Sequence, residues 1–189
     1  VKDLEQYIQH YFDARAEDLS AIASAFSYKA IHKSDYLLKE GRICTQLSFI
    51  KQGLVRIYST QNDKEVTQWI SISGYFVTEL SSFIFNTPAR WNIQALTDCE
   101  LYTIDKDQYE KLGLQIPEWH KLEKLFIAKC FIILEERVNS FLFMTAEERY
   151  NQLLSINPEL FNQVPLQYLA SMLGMTPETL SRLRKKAIG

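Results

Sequence analysis

The sequence predicts an α+β protein, helical at both ends and all-β between them, on three observations. Apolar residues recur at helical spacing over roughly the first 26 positions, short β-branched and aromatic segments fill about 28 to 104, and helical spacing returns after Asp105.

In the first region Leu4, Tyr7, Ile8, Tyr11 and Phe12 form one stripe, and Leu19, Ile22, Ala23 and Phe26 form another. Two short helices joined near Arg15 are expected. The β block is punctuated by "KSD", "KQG", "TQND" and "LTD", phrases rich in turn-forming residues. Its clearest hairpin is "LVRIYSTQNDKEVTQWISI", with Val55 and Ile57 alternating on one side, Val66, Ile70 and Ile72 on the other, and Asn62-Asp63 in the turn. Many short strands so spaced point to a sandwich, jelly roll or small barrel.

Pro117 suits a first helical position and Glu118 the positive first turn of a long helix over about 117 to 143. Between Leu125 and Leu134 that helix is apolar nearly all round. Such a helix needs more than one partner: the β block on one side and its own copy in a second subunit on the other. "TAEE" then offers a capping box, Thr145 with Glu148, which opens a last domain containing a helix through Leu154, a loop at Pro158 and two more helices. The expected division is 1–116, 117–144 and 145–189.

Composition limits the functional classes. The chain has 189 residues, 47% of them apolar and 13% aromatic, enough for an ordinary core. Its net charge of −2 exerts no overall pull toward nucleic acid or membrane. The charge is nevertheless segregated. Residues 161–189 hold Arg182, Arg184, Lys185 and Lys186 against Glu178 alone, a local +3 that leaves −5 on the rest. Cys44, Cys99 and Cys130 are widely spaced and odd in number, so neither a disulfide framework nor a zinc motif is indicated. No basic-then-apolar opening is present, and "FIAKCFIILEE", the longest apolar run, is broken by Lys129 and ends at Glu135. A cytoplasmic protein without membrane association is expected.

In the tail "VPLQYLASMLGMTPETLSRLRKK", Leu166, Leu169, Ala170 and Leu173 make one apolar stripe, Gly174 interrupts it, and Leu180 and Leu183 make a second. Two short helices about a tight Gly turn are the helix-turn-helix layout, with Ala170 small enough for a close crossing. Thr176 suits the amino-terminal cap, Pro177 the first position and Glu178 the dipole. The outward residues are then Glu178, Thr179, Ser181, Arg182 and Lys185. Arg182 has the paired donors that guanine O6 and N7 accept, Glu178 can accept from cytosine N4, and Thr179 or Ser181 can reach bases or phosphates. Arg184, Lys185 and Lys186 are suited to neutralising phosphates.

With "IKQGLVRIY", "GYFVTEL", "NIQALTDCELYTI" and this tail in that order, the chain resembles the Crp/Fnr superfamily of bacterial transcription regulators over nearly its whole length. The resemblance implies a β-roll sensor, a long dimerisation helix and a carboxy-terminal winged helix-turn-helix. It also implies double-stranded DNA, a second copy of the chain, RNA polymerase and a small-molecule effector as partners. Glu178 and Arg182 fall on positions that read bases in the family, whereas Pro177 stands where arginine is frequent, so an operator cannot be carried over. The wing would follow this helix, and the sequence stops at Gly189, so the wing is either reduced or cut off by truncation.

Cyclic-nucleotide members of the family hold the ligand with a Gly-Glu-Leu phrase, followed about ten residues later by Arg, a hydroxyl residue and Ala. The matching stretch here begins just after Gly74 and reads "VTELSSFIFNTPARWNIQAL". Glu79, Leu80 and Arg90 match, but Thr78 replaces the Gly, Ser81 is the next small residue, and bulky Trp91 follows Arg90. Counted back from Ala95, Arg90 also comes one place late. No cofactor is therefore required, and high-affinity cyclic nucleotide binding is not expected.

Catalysis is not expected either. No His pair with a carboxylate, HExxH, Gly-rich phosphate loop or nucleophile elbow is present. No cysteine precedes Cys44, against an amino-terminal iron–sulfur cluster, and His10, His32 and His120 are isolated, against haem. The second functional class left open is a ligand-binding module that acts on a protein partner through its terminal helix.

Overall fold

The structure is a computed structural model that describes residues 2–188. The chain falls into two compact units, residues 1–57 with 70–131 and residues 58–69 with 132–189.

The first unit opens with helices α1 (Lys2–Phe12) and α2 (Ala16–Ser24), separated by a turn in which Asp13 has φ 54°. Eight strands follow: β1 (Ser27–Ile31), β2 (Tyr36–Leu38), β3 (Gln46–Gln52), β4 (Val55–Gln61), β5 (Lys64–Ser71), β6 (Phe76–Val77), β7 (Asn92–Ala95) and β8 (Cys99–Asp105). They form two four-stranded sheets, ordered β1-β8-β3-β6 and β2-β7-β4-β5, so a two-sheet roll is the outcome among the all-β alternatives. β8 pairs antiparallel on both sides, with Ser27 opposite Thr103 toward β1 and Gln46 opposite Asp105 toward β3. Two helices belong to the roll: α3 (Leu80–Phe85) and α4 (Lys106–Gln115).

Both faces of β3 are buried, and its period of two assigns each face a task. Phe49 meets the rings of Tyr7, Tyr11 and Phe26 on the helical side at 6.1, 5.8 and 5.6 Å. Ser48, on the opposite face, exchanges a hydroxyl bond of 2.8 Å with Thr103. The helical side continues into an aromatic cluster in which Phe126 stacks on Phe12 at 4.7 Å and Trp119 on Phe12 at 5.6 Å. Tyr109 joins Trp119 to Phe83 of α3 through edge contacts of 5.1 and 5.3 Å.

The 25-residue helix α5 (Trp119–Phe143) starts two residues later than Pro117. The Trp119 N–H closes a three-residue turn on the Ile116 carbonyl at 3.0 Å, which leaves Pro117 and Glu118 in the turn before the helix. Trp119, Leu122, Phe126 and Cys130 are buried along one face, and burial pushes the Cys130 thiol up to about 11. On other faces Ile127, Phe131, Leu134, Val138 and Leu142 are exposed.

The second unit holds the rest of α5, then α6 (Ala146–Ile156), α7 (Leu160–Gln163), α8 (Leu166–Met172) and α9 (Pro177–Ile188). The capping box of α6 is complete: Thr145 Oγ1 accepts the Glu148 N–H at 3.2 Å and Glu148 accepts the Thr145 N–H at 2.7 Å. Donation from the Thr145 N–H and from the Thr145 hydroxyl, the latter at 2.8 Å, holds the Glu148 carboxyl below its usual range. Tyr150 and Phe161 meet edge-on at 5.3 Å, and Leu169, Ala170 and Leu180 are fully buried.

The far half of the β4–β5 hairpin belongs to this unit. Its turn has Asn62 and Asp63 both at positive φ, 49° and 60°, the conformation that suits a two-residue hairpin. Burial departs from the sequence expectation by one residue. Val66 is 42% exposed, whereas Thr67 is buried and its N–H donates to Ser171 Oγ at 2.9 Å. Helical residues far along the chain cover this half of the hairpin, so its own alternation could not reveal which face is inward.

Gly53, in the turn between β3 and β4, has φ +102°, and a Cβ there would meet the Asp98 carbonyl and Cys99 Sγ at 2.6 Å. Gly41 has φ +82° but open space around it. Gly53→Ala is expected to cost more than about 2 kcal/mol and Gly41→Ala about 1 kcal/mol, because only the first adds a clash to backbone strain. Urea unfolding curves check this, and equal losses would contradict it.

Candidate functional site

The residues singled out from the sequence lie in two places. Thr176 to Lys186 occupy a single helix and its cap in the second unit; Gly74 and the residues from Glu79 to Trp91 lie in the first.

Thr176 Oγ1 accepts the Thr179 N–H at 3.2 Å, and its hydroxyl also pairs with Thr179 Oγ1 at 3.2 Å. α9 therefore starts from a satisfied first turn. Leu180 buries its inner face, while Pro177, Glu178, Arg182, Lys185 and Lys186 are exposed and Thr179, Ser181 and Arg184 are half-buried. Hydrogen bonds from its own N–H and from the Thr176 hydroxyl, with the Arg182 charge nearby, hold the Glu178 carboxyl below the usual range. Lys186 Nζ lies 2.6 Å from Glu147 Oε1, tying the last turn of α9 to the first turn of α6. That ion pair offsets one of the four cations of the tail, which sequence position alone did not indicate.

The turn into α9 is closed by the expected glycine and by two arginines for which the sequence indicates no role. Gly174, at φ +64°, is the left-handed residue that ends α8: its N–H donates to the Ser171 carbonyl at 3.0 Å and the Met175 N–H to the Ala170 carbonyl at 3.0 Å. The next two carbonyls accept from arginines on other helices. Arg137 Nη2 donates to the Met172 carbonyl at 2.8 Å and Arg149 Nε to the Leu173 carbonyl at 2.9 Å. Burial draws the Arg137 guanidinium down to about 10. The only sequence signal for these partners is a pair of cations beside apolar helical stripes, indistinguishable from solvated charges.

In the roll, Glu79 caps α3. Its side chain is 6% exposed, Oε2 accepts the Ser82 N–H at 2.6 Å, and Oε1 lies 3.6 Å from Nη2 of Arg90, whose side chain is 72% exposed. Glu79 and Arg90 are thus brought together, with Leu80 and Ser81 in the first turn of α3 and Trp91 half-buried beyond. Ser82 rather than Ser81 is the buried hydroxyl, and it accepts the Cys44 N–H at 2.8 Å. Gly74 sits in the turn before β6, its N–H on the Ile50 carbonyl at 2.8 Å. Between the sheets is a cavity of about 40 Å³ lined by Leu38, Cys44, Ser48, Val77, Thr78 and Ile93. Small-molecule sites run to roughly 300 Å³ or more.

Residues 28–115 match the family model of the cyclic nucleotide-binding domain, which defines the class of the roll. No curated protein matches the chain. Among solved structures it is similar to FixK2 from Bradyrhizobium japonicum, at 17% identity and TM-score 0.71 over 85% of this chain and 83% of that one. It is also similar to the c-di-GMP responsive global regulator CLP of Xanthomonas campestris, at 19% identity and TM-score 0.66 over 92% and 91%. The cAMP-bound PfPKA-R is 24% identical at TM-score 0.54, but covers 59% of this chain, which spans only 40% of that one. The fold is therefore a cyclic nucleotide-binding-type β-roll, with structural neighbours in the Crp/Fnr family. Among the described residues no helix is long and apolar enough to cross a membrane.

The buried Glu79 carboxylate and the exposed Arg90 guanidinium make unequal contributions to the roll. Glu79→Ala is expected to cost about 1 kcal/mol through loss of the cap, and Arg90→Ala to stay within about 0.5 kcal/mol. Thermal melts of the two variants compare them; a larger loss for Arg90→Ala would contradict the assignment.

Proposed function

We propose that the protein is a homodimeric, sequence-specific DNA-binding transcription regulator whose α8–Gly174–α9 segment is a helix-turn-helix. The observation that carries this reading is α9 itself: a capped helix, anchored by fully buried Leu180, that holds Glu178, Arg182 and Lys185 outward. Arg182 and Glu178 read base edges, Thr179 and Ser181 support them, and Arg184, Lys185 and Lys186 meet phosphates. The exposed apolar residues of α5 pair with the same helix of a second copy, which places two α9 helices in successive major grooves. CLP, described as a regulator linked to gene expression, supports this reading by its likeness in fold over nearly the full length of both chains.

The roll does not use a cyclic nucleotide as a required cofactor. Glu79 is committed to capping α3, its Oε2 accepting the Ser82 N–H at 2.6 Å. The reading also includes no catalysis, cytoplasmic location, and RNA polymerase as a downstream partner. The likeness of the roll to PfPKA-R favours one alternative, a regulatory module acting on a protein partner through α9, which predicts complexes indifferent to DNA.

Selection of duplexes from a random pool, followed by gel-shift titration, tests the proposal. Arg182→Ala should cost about 1–3 kcal/mol on the selected site and little on unrelated DNA, whereas Lys185→Ala should weaken both alike. Lys186→Ala should do less than Lys185→Ala, because Glu147 already offsets its charge. Recovery of no enriched sequence, with binding insensitive to salt, would favour the protein-partner reading. A low-micromolar calorimetric isotherm for cAMP would contradict the account of the roll.

A further inference from the structure

We propose that Arg137, Phe141 and Arg149 act together as a clamp that fixes the direction in which α9 leaves α8, making them positioning residues for DNA recognition; the inference rests on the helix-turn-helix reading of α9.

A helix ends with four carbonyls that have no partner within it. At the end of α8 those of Ala170 and Ser171 are satisfied by the N–H groups of Met175 and Gly174. The remaining two, of Met172 and Leu173, accept from Arg137 and Arg149, which also place positive charge at the negative end of the helix dipole. Arg149 reaches further: its Nη1 donates to the Met144 carbonyl at 2.6 Å, so one guanidinium bridges the chain just past α5 to the exit of α8.

Phe141 joins the two arginines. Each guanidinium carbon lies 5.0 Å from the centre of its ring, within the range of a cation–π contact. The same ring stands against Gly174, where a Cβ would come within 2.5 Å of it. Arg137 also lies 5.1 Å from the ring of Trp69 on the hairpin. Because Gly174 lies three residues before Pro177, any rotation of Phe141 about the α5 axis presses on the turn that aims Glu178 and Arg182. At Arg149 the forked guanidinium is required, since a single lysine ammonium cannot reach the Leu173 and Met144 carbonyls in two fixed directions and also sit over the Phe141 ring.

The test uses the full chain, the selected duplex and an unrelated duplex of equal length at one salt concentration, read by fluorescence anisotropy. Arg149→Lys and Phe141→Leu should each lower the ratio of specific to unrelated affinity at least tenfold, while the unrelated affinity and its salt dependence stay within twofold. An unchanged ratio, or parallel loss on both duplexes, would overturn the proposal. Hydrogen exchange supplies a readout that needs no DNA: the Met175 and Leu180 amides should exchange at least tenfold faster in Arg149→Lys, with the amides of β3 unchanged. If the wild-type chain binds neither duplex, the functional reading fails on its own, and unaltered exchange at Met175 would separately overturn the clamp.

Discussion

A helix that is apolar on more than one side cannot remain so in water, and α5 imposes this constraint on everything around it. Its buried face, Trp119, Leu122 and Phe126, is taken up by the aromatic cluster of the first unit. The exposed residues Ile127, Phe131, Leu134 and Val138 lie at i, i+4, i+7 and i+11, the spacing of a seam between two helices. Under the proposed function, pairing this seam with a second copy removes the exposed surface and sets two α9 helices about a common axis. The same helix carries Arg137 and Phe141, so the element with the exposed apolar seam also touches the turn between α8 and α9.

The frame of the roll is that of the cyclic nucleotide-binding domain. The match to the cyclic nucleotide-binding domain covers the strands and both roll helices. Within that frame the carboxylate of Glu79 is turned to the first turn of α3, where it accepts a backbone N–H that an anionic ligand would otherwise seek. Phe83 on the same short helix contacts Tyr109, which contacts Trp119 at the start of α5. α3 and the start of α5 are therefore joined by packed aromatic rings.

The parts legible in the sequence are those set by local chemistry. Asn62-Asp63 tolerate positive φ, Thr145 and Glu148 have the spacing of reciprocal caps, and Thr176 precedes a Pro in the first helical position; each predicts a structure that neighbours in sequence suffice to build. What was not legible depends on residues distant in sequence. Val66 alternates correctly with Ile70 yet is exposed, because Ser171, about a hundred residues later, sits against Thr67. Arg56, a charged residue between Val55 and Ile57, is only 1% exposed, which local alternation does not predict. Arg137 and Arg149 read as solvated charges until the unpaired carbonyls of α8 show their purpose. The Lys186–Glu147 pair likewise joins two helices whose contact no spacing predicts.

Under the proposed function, one seam and one outward helix per chain suffice to read DNA as a twofold dimer. Hydroxyl-radical footprinting of the 189-residue chain on a selected duplex is the decisive measurement. Two protected segments related by symmetry are expected, with centres about 10 base pairs apart, one for each α9. A single protected segment, or none at low ionic strength, would contradict it.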